Sequence, residues 1–292
     1  MLTISANAKI NLTLDILGTR EDGYHEVEMI LQSIELADNI ELAKMDSGIK
    51  LEMDASAVSG GETLTVNENN LAYRAAKAVI DYCKLDNGIF IRLTKKIPIA
   101  AGLAGGSTDA AAVIRGMNQL FNLHLTTDEL CEIGLKIGSD VPFCIIGGTC
   151  LASGRGEKLK RLPDLINVPV VLVKLRGAIP TAWAYKTYDS DRSSEHPDNL
   201  AICEAINLSD YEAVGELMFN VLEHVAAKKY PAILSYKEKM LEAGAIAAMM
   251  SGSGPTVFGI AKTQEDAVKI AESFKNSGTQ VFVTKTIGRI EN

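Results

Sequence analysis

From Pro98 to Asp109 the chain reads Pro98-Ile99-Ala100-Ala101-Gly102-Leu103-Ala104-Gly105-Gly106-Ser107-Thr108-Asp109, a turn whose residue types suit the binding of a phosphate. A strand-like run, Ile89-Phe90-Ile91-Arg92-Leu93, precedes it, and an alanine-rich helical segment from Ala110 to about Phe121 follows. Glycines let the backbone curl closely around an anion. The unpaired N–H groups of a helix start point at one place, and the helix dipole adds partial positive charge there. The chemistry that fits is polyphosphate binding, although the same composition also serves as a plain tight connection. Neither common phosphate signature is present. No Lys-Ser or Lys-Thr follows the glycines, as a Walker loop requires, and Gly102-Leu103-Ala104-Gly105 does not give a GxGxxG.

Two further positions carry charge where chemistry could use it. Lys9 and Asn11 share one side of an alternating strand, opposite Ala8, Ile10, Leu12 and Leu14, so a cation and an amide face one ligand. Taken alone, a lysine on the polar face of an edge strand is usually just solvated. Asp140 follows a helix stop, a place where aspartate commonly forms a turn. Its neighbours Ile137, Gly138, Val141, Pro142 and Phe143 are nearly all apolar, however, and a carboxylate among them needs a charged partner to stay ionised. If Lys9 approaches Asp140, the pair can orient and deprotonate a hydroxyl facing a bound phosphate. Hydrolase chemistry fits less well: Ser107 and Ser253 sit among glycines, but in no GxSxG elbow.

These residues need elements to position them. The N-terminal alternation predicts a strand, then a turn over Gly18-Thr19-Arg20-Glu21-Asp22-Gly23 and a second strand region through Ile34 to Leu42. Segment 47–62 reads as loops between short strands. Asn69-Asn70 caps a helix whose Leu71, Ala75, Ala78, Val79 and Tyr82 share a face. Thr126-Thr127-Asp128-Glu129 starts another, with Gly138 as its stop and 139–143 as a short connection. Strands are expected at 149–153 and 169–175. Helices are expected at 199–206, 210–224, 231–243 and 264–275, and closing strands at 256–260 and 281–284. A second glycine turn, Ser251-Gly252-Ser253-Gly254-Pro255, lies among them. The interleaving after residue 155 fits a split βαβ, ferredoxin-like unit, which divides the chain into domains 1–155 and 156–292.

Composition narrows the classes. The 292 residues are 47% apolar and 23% charged, as in a folded globular protein of two units. The net charge of −8 and the scarcity of aromatics argue against a nucleic-acid surface, so a nucleotide must be held by local dipoles and a few cations. No apolar run approaches the roughly 18 residues that span a bilayer, and the first nine residues lack the pattern of a signal peptide. Five unpaired-looking cysteines read as reduced core residues of a cytoplasmic protein, and no Cys/His spacing suits a structural metal.

Pro98-x-x-x-Gly102-Leu103-x-Gly105-Gly106-Ser107 resembles the phosphate loop of the GHMP small-molecule kinases, and Ser251-Gly252-Ser253-Gly254-Pro255 resembles their C-terminal glycine motif. The resemblance covers essentially the whole chain. It implies an α+β, two-domain fold, with an N-terminal mixed α/β domain and a C-terminal ferredoxin-like split βαβ domain. ATP is the implied phosphoryl donor, with Mg²⁺ bridging its β- and γ-phosphates and no protein ligand assigned to that ion. Ala6-x-Ala8-Lys9-Ile10-Asn11-Leu12, Gly23-Tyr24-His25-Glu26 and Gly138-Ser139-Asp140-Val141-Pro142-Phe143 are similar to one branch of the family. That branch phosphorylates the 2-hydroxyl of a cytidine-diphosphate-linked methylerythritol in non-mevalonate isoprenoid synthesis.

The resemblance implies Asp140 as base, Lys9 as its charged partner, and Asn11, Tyr24 and His25 as substrate contacts, His25 through the cytosine. Tyr185 occupies the place of a ring that stacks on the base, or is a half-buried core aromatic. Asn70 and Leu71 border the adenine, and Ser107 and Thr108 offer hydroxyls to the phosphates. Ala100, Ala101 and Ala104 depart from the family's more usual Gly or Ser, which touches fine geometry and leaves the N–H donors in place. Sibling kinases of mevalonate, homoserine or a sugar are the alternatives within the family. A nucleotide-binding regulator is the alternative outside catalysis, and the presence of both Lys9 and Asp140 speaks against it. The implied partner is a small molecule, with no nucleic acid or membrane, acting on a monomer or homodimer.

Overall fold

Alternation over the first 45 residues builds two long antiparallel strands, β1 (Leu2–Thr19) and β2 (His25–Met45), in register from Leu2 opposite Leu42 to Thr19 opposite His25. The computed structural model describes residues 1–58, 64–275 and 278–290. β3 (Ile49–Asp54) follows, then α1 (Leu71–Cys83), β4 (Gly88–Thr94), α2 (Gly105–Phe121), α3 (Thr127–Leu135), α4 (Val141–Ile146), β5 (Thr149–Gly154) and β6 (Lys158–Arg161). The C-terminal half continues with β7 (Pro169–Lys174), α5 (Thr181–Ser190), α6 (Asn199–Asn207), α7 (Tyr211–Leu217), β8 (Phe219–Asn220), α8 (Val221–Lys229) and α9 (Ala232–Glu242). It closes with β9 (Ala247–Met250), β10 (Thr256–Ile260), α10 (Gln264–Glu272) and β11 (Gln280–Lys285).

The first sheet runs β3-β4-β2-β1-β8, and β5 and β6 extend from the N-terminal half of β2. Across it lies α2, in which every residue from Thr108 to Met117 is buried. Small side chains permit this. Ala110, Ala111 and Ala112 are fully buried, and a methyl at Gly116 would lie 2.4 Å from Leu42 Cδ1. Overpacking of that kind costs about 1–3 kcal/mol.

The second sheet has the order β11-β7-β10-β9 with every adjacent pair antiparallel. Fourth, first, third, second is the split βαβ arrangement expected for the C-terminal half. The hairpin that spans residue 155 keeps both strands, β5 and β6, in the first sheet, so the step between sheets falls in 162–168. Two-residue β8 also joins the first sheet, parallel to β1 at Thr13 and Leu14. The chain end returns there too, through the Ile34–Thr286 and Gly147–Arg289 bridges.

Several local expectations shift. The phosphate-loop helix begins at Gly105, five residues before Ala110, because left-handed Ala104 (φ 60°) turns the chain directly into it. Residues 139–143 are a helix start, with α4 opening at Val141. The single helix expected over 210–224 breaks at Met218, where extended backbone lets Phe219 and Asn220 pair with β1. α3 ends at Leu135, before Gly138. Helix α5 and strand β6 had no expectation. Within 47–62, β3 is a full six-residue strand, and residues 59–62 lie outside the described residues. Only Cys144 and Cys150 of the cysteines are buried; all five are free. Among the described residues no helix is long and apolar enough to cross a membrane.

Candidate active site

The glycine loop opens α2 with no side-chain cap on its first turn. The first N–H groups of a helix have no partner within it, and the dipole concentrates positive charge there. Gly105, Gly106 and Ser107 therefore present an anion site to a cleft of about 1100 Å³. That volume exceeds the roughly 300–1,000 Å³ of a pocket for one drug-sized ligand, which leaves room for two ligands side by side. Ala104 and Ala100 (φ 60° and 49°) both adopt the left-handed conformation that glycine holds without strain.

The two glycine turns touch. A Cβ on Gly102 (φ +75°) would sit 2.1 Å from Ser251 O, and Ser251 Oγ donates to Gly102 O at 3.0 Å. Asn220 Nδ2 donates at 2.8 Å to both Met250 O and Gly252 O, which fixes the second turn to the edge of β1. Ser253 Oγ lies 3.1 Å from Thr181 Oγ1 at the start of α5.

Lys9 meets this junction. It is 5% exposed, and its Nζ donates to Asn11 Oδ1 at 2.6 Å and to Gly102 O at 3.2 Å. Burial pulls its pKa below that of a free lysine, while the nearby Asp140 and Cys144 push it back up. Asp140 lines the same cleft. Lys9 and Asp140 do approach each other, and Asp140 acts on Lys9 through space, although among the described residues neither is paired with an oppositely charged side chain. Asp140 is also the N-cap residue of α4, where an aspartate ordinarily accepts from the N–H two or three residues on. Pro142 has no N–H to give, and the carboxylate makes no capping bond. It lines the cleft instead.

Further along the cleft, Tyr185 from α5 packs its ring on His25, with centroids 4.9 Å apart and planes at 45°. Burial raises the Tyr185 hydroxyl's pKa, and Asp140 adds to the effect. The Arg155 guanidinium stands 4.8 Å over the exposed Tyr24 ring. His25 Nε2 is 2.9 Å from Asp189 Oδ1. Asn70 and Leu71 line the end beside α1, where the Asn70 side chain caps that helix through Ala72 N at 2.9 Å.

Most of the expected site residues thus converge on one cleft. Thr108, Leu103 and Ser251 do not line it. Thr108 is buried and turns its hydroxyl onto Gly105 O at 2.8 Å, and Leu103 contributes only its carbonyl, which accepts from Lys9 N at 3.2 Å. Asn11 is fully buried and serves the Lys9 amine.

A buried triad under the loop escaped the sequence. Lys95 Nζ bonds both Asp38 and Asp109, the latter at 2.6 Å, while Asp38 Oδ1 also accepts from Lys96 N at 2.5 Å and Ile97 N at 2.8 Å. Burial drives the Asp109 carboxyl up to about 8, with Asp38 adding to the rise and Lys95 opposing it. Two carboxylates around one ammonium leave a surplus negative charge, and a proton neutralises it. Burial lowers Lys95, but Asp109 and Asp38 outweigh that and leave it raised. An aspartate between Ala37 and Asn39 in a strand, and another at the fifth residue of α2, were the only signals available.

Comparison with known proteins bears on this arrangement. The model of the GHMP kinases N terminal domain matches residues 70–148, the glycine loop and Asp140 included. That of the GHMP kinases C terminal matches residues 202–280, which carry the second glycine turn. The chain belongs to the GHMP kinase family. It is 46% identical to the 4-diphosphocytidyl-2-C-methyl-D-erythritol kinase of Acetivibrio thermocellus over 98% of this chain and 99% of that one. It is 43% identical to the enzyme of the same name from Clostridium acetobutylicum, over 98% and 100%. A crystal structure of 4-(cytidine 5'-diphospho)-2C-methyl-D-erythritol kinase superposes with a TM-score of 0.83 at 30% identity, covering 98% of this chain and 100% of that one. Homoserine kinase from Cytophaga hutchinsonii, at 19% identity and a TM-score of 0.73, shares the fold. As a GHMP kinase, the protein takes ATP as its phosphoryl donor.

Proposed function

We propose that this kinase transfers the γ-phosphoryl group of ATP to the 2-hydroxyl of 4-diphosphocytidyl-2-C-methyl-D-erythritol. The reading rests on the shared cleft of Lys9 and Asp140 beside the uncapped start of α2. Phosphoryl transfer asks little covalent chemistry of a protein; positioning and electrostatics do most of the work. In this reading the amides of Gly105, Gly106 and Ser107 hold the terminal phosphates. Asp140, free of any capping bond, accepts the hydroxyl proton as the oxygen attacks phosphorus. Lys9, held by Asn11 and Gly102, faces the transferring group as a fixed cation. Asn70 and Leu71 border the adenine, and Tyr24, His25 and Tyr185 hold the cytidyl end. The N-terminal domain would carry the loop and the catalytic pair, and the C-terminal domain would carry the other glycine turn and part of the substrate site.

Mg²⁺ fits as a phosphate-bound ion. Among the described residues no group of three or more His, Cys, Asp or Glu could hold a metal alone. Mg²⁺ in kinases keeps phosphate oxygens and waters with few protein ligands; Ser107 and Asp140 would hold it here. It would neutralise charge on the β- and γ-phosphates.

The test is ATP turnover with diphosphocytidyl methylerythritol, mevalonate or homoserine as acceptor. ADP should form with the first alone, and turnover of either of the others in its place would overturn the reading.

A further inference from the structure

One hydrogen-bonded His–Asp pair at the proposed cytidyl end has no part in phosphoryl transfer. His25 opens β2 and Asp189 lies in the last turn of α5, yet their side chains meet at 2.9 Å between Nε2 and Oδ1. The His25 side chain is only 14% exposed, the Asp189 side chain 39%. The imidazole also rests on the Tyr185 ring. Both residues line the cleft, and among the described residues His25 Nδ1 makes no hydrogen bond.

We infer that Asp189 is a positioning residue that makes the kinase select cytosine over uracil, by fixing which nitrogen of His25 carries the proton. The inference rests on the proposed role of His25 at the nucleobase. A carboxylate oxygen only accepts, so Nε2 facing Asp189 carries hydrogen. With the proton on Nε2, Nδ1 of an uncharged imidazole is the acceptor. Cytosine presents an exocyclic amino donor at C4, whereas uracil presents a carbonyl oxygen there, as thymine does. An Nδ1 acceptor welcomes the first and repels the second. Tyr185 holds the ring plane and Asp189 holds its proton. Without Asp189 the proton is free to occupy Nδ1, and a donor there suits uracil O4.

The test compares Asp189→Ala and Asp189→Glu with the wild type, using cytidine- and uridine-diphosphate-linked methylerythritol as acceptors at saturating ATP. Asp189→Ala should raise KM for the cytidine acceptor about tenfold with kcat little changed, and the cytidine-over-uridine ratio of kcat/KM should fall about tenfold, as one hydrogen bond warrants. Asp189→Glu, which keeps the carboxylate, should recover most of that ratio. An Asp189→Ala enzyme with the ratio intact, or with a loss in kcat alone, would overturn the inference and leave the proposed function standing. A wild-type enzyme inert on both acceptors but active on another alcohol would remove the proposed function, and this inference with it.

Discussion

Lys9 Nζ donates to Gly102 O at 3.2 Å, so the amine on the first strand and the phosphate loop ninety-three positions later form one rigid unit. Ser251 Oγ donates to the same carbonyl, which adds the second glycine turn to that unit. The cation is therefore tied to the mouth of the glycine loop, which suits a reaction that depends on placement to within about 1 Å.

Asp140→Asn removes the proton acceptor and keeps the side chain's size. Turnover should fall about 10²–10⁴-fold, while ATP affinity by calorimetry holds. Loss of ATP binding with chemistry preserved would assign Asp140 to the nucleotide instead.

Lys9→Met tests whether the buried amine serves stability or chemistry. Burial lowers its pKa, a sign that the charged form gains less from its surroundings than it does from water. A methionine of similar length should leave the thermal midpoint unchanged or raised, and kcat should drop about 10²–10³-fold. A collapsed midpoint would show that the amine holds the fold.

Gly102→Ala forces a methyl to 2.1 Å from Ser251 O at a φ of +75°. Steric overlap and left-handed strain together should cost about 2–4 kcal/mol in urea unfolding, with activity lost as the two turns part. Ala104→Gly is the opposite change. At a φ of 60° it relieves strain, and it should stabilise by about 0.5–1 kcal/mol.

Asp109→Asn reports on the buried triad. The folded-state pKa of Asp109, about 8, lies above its ordinary 3.8. Its stabilising contribution is thus complete below about pH 4, drains away as pH rises toward 8, and is flat beyond. Asparagine carries no such proton. Denaturation midpoints should show the variant gaining on the wild type between pH 5 and 8, and a constant difference across that range would refute the raised pKa.

The sequence made some of this legible and hid the rest, for identifiable reasons. The glycine loop could be read because all its parts are adjacent: a strand, a run that tolerates positive φ, and a helix start. The ferredoxin-like order was legible from the alternation of strands with amphipathic helices. The break at Met218 was not, because it arises from pairing of Phe219 and Asn220 with a strand two hundred residues earlier, and helical periodicity carries no trace of that pairing. Asp140 drew notice as a carboxylate among apolar neighbours, but only the fold shows that it lines the cleft at the start of α4 without capping that helix.

By itself the sequence determined which residues could do chemistry and which local turns would carry them, because hydrogen-bonding capacity, charge and backbone freedom are properties of single residues and short runs. Only the tertiary structure decided who stands beside whom: Lys9 against Gly102 rather than in a salt bridge with Asp140, Lys95 between Asp38 and Asp109, His25 against Asp189. Such meetings depend on how two sheets pack, and the packing is settled by the burial of the whole apolar core. No stretch of neighbouring residues encodes it.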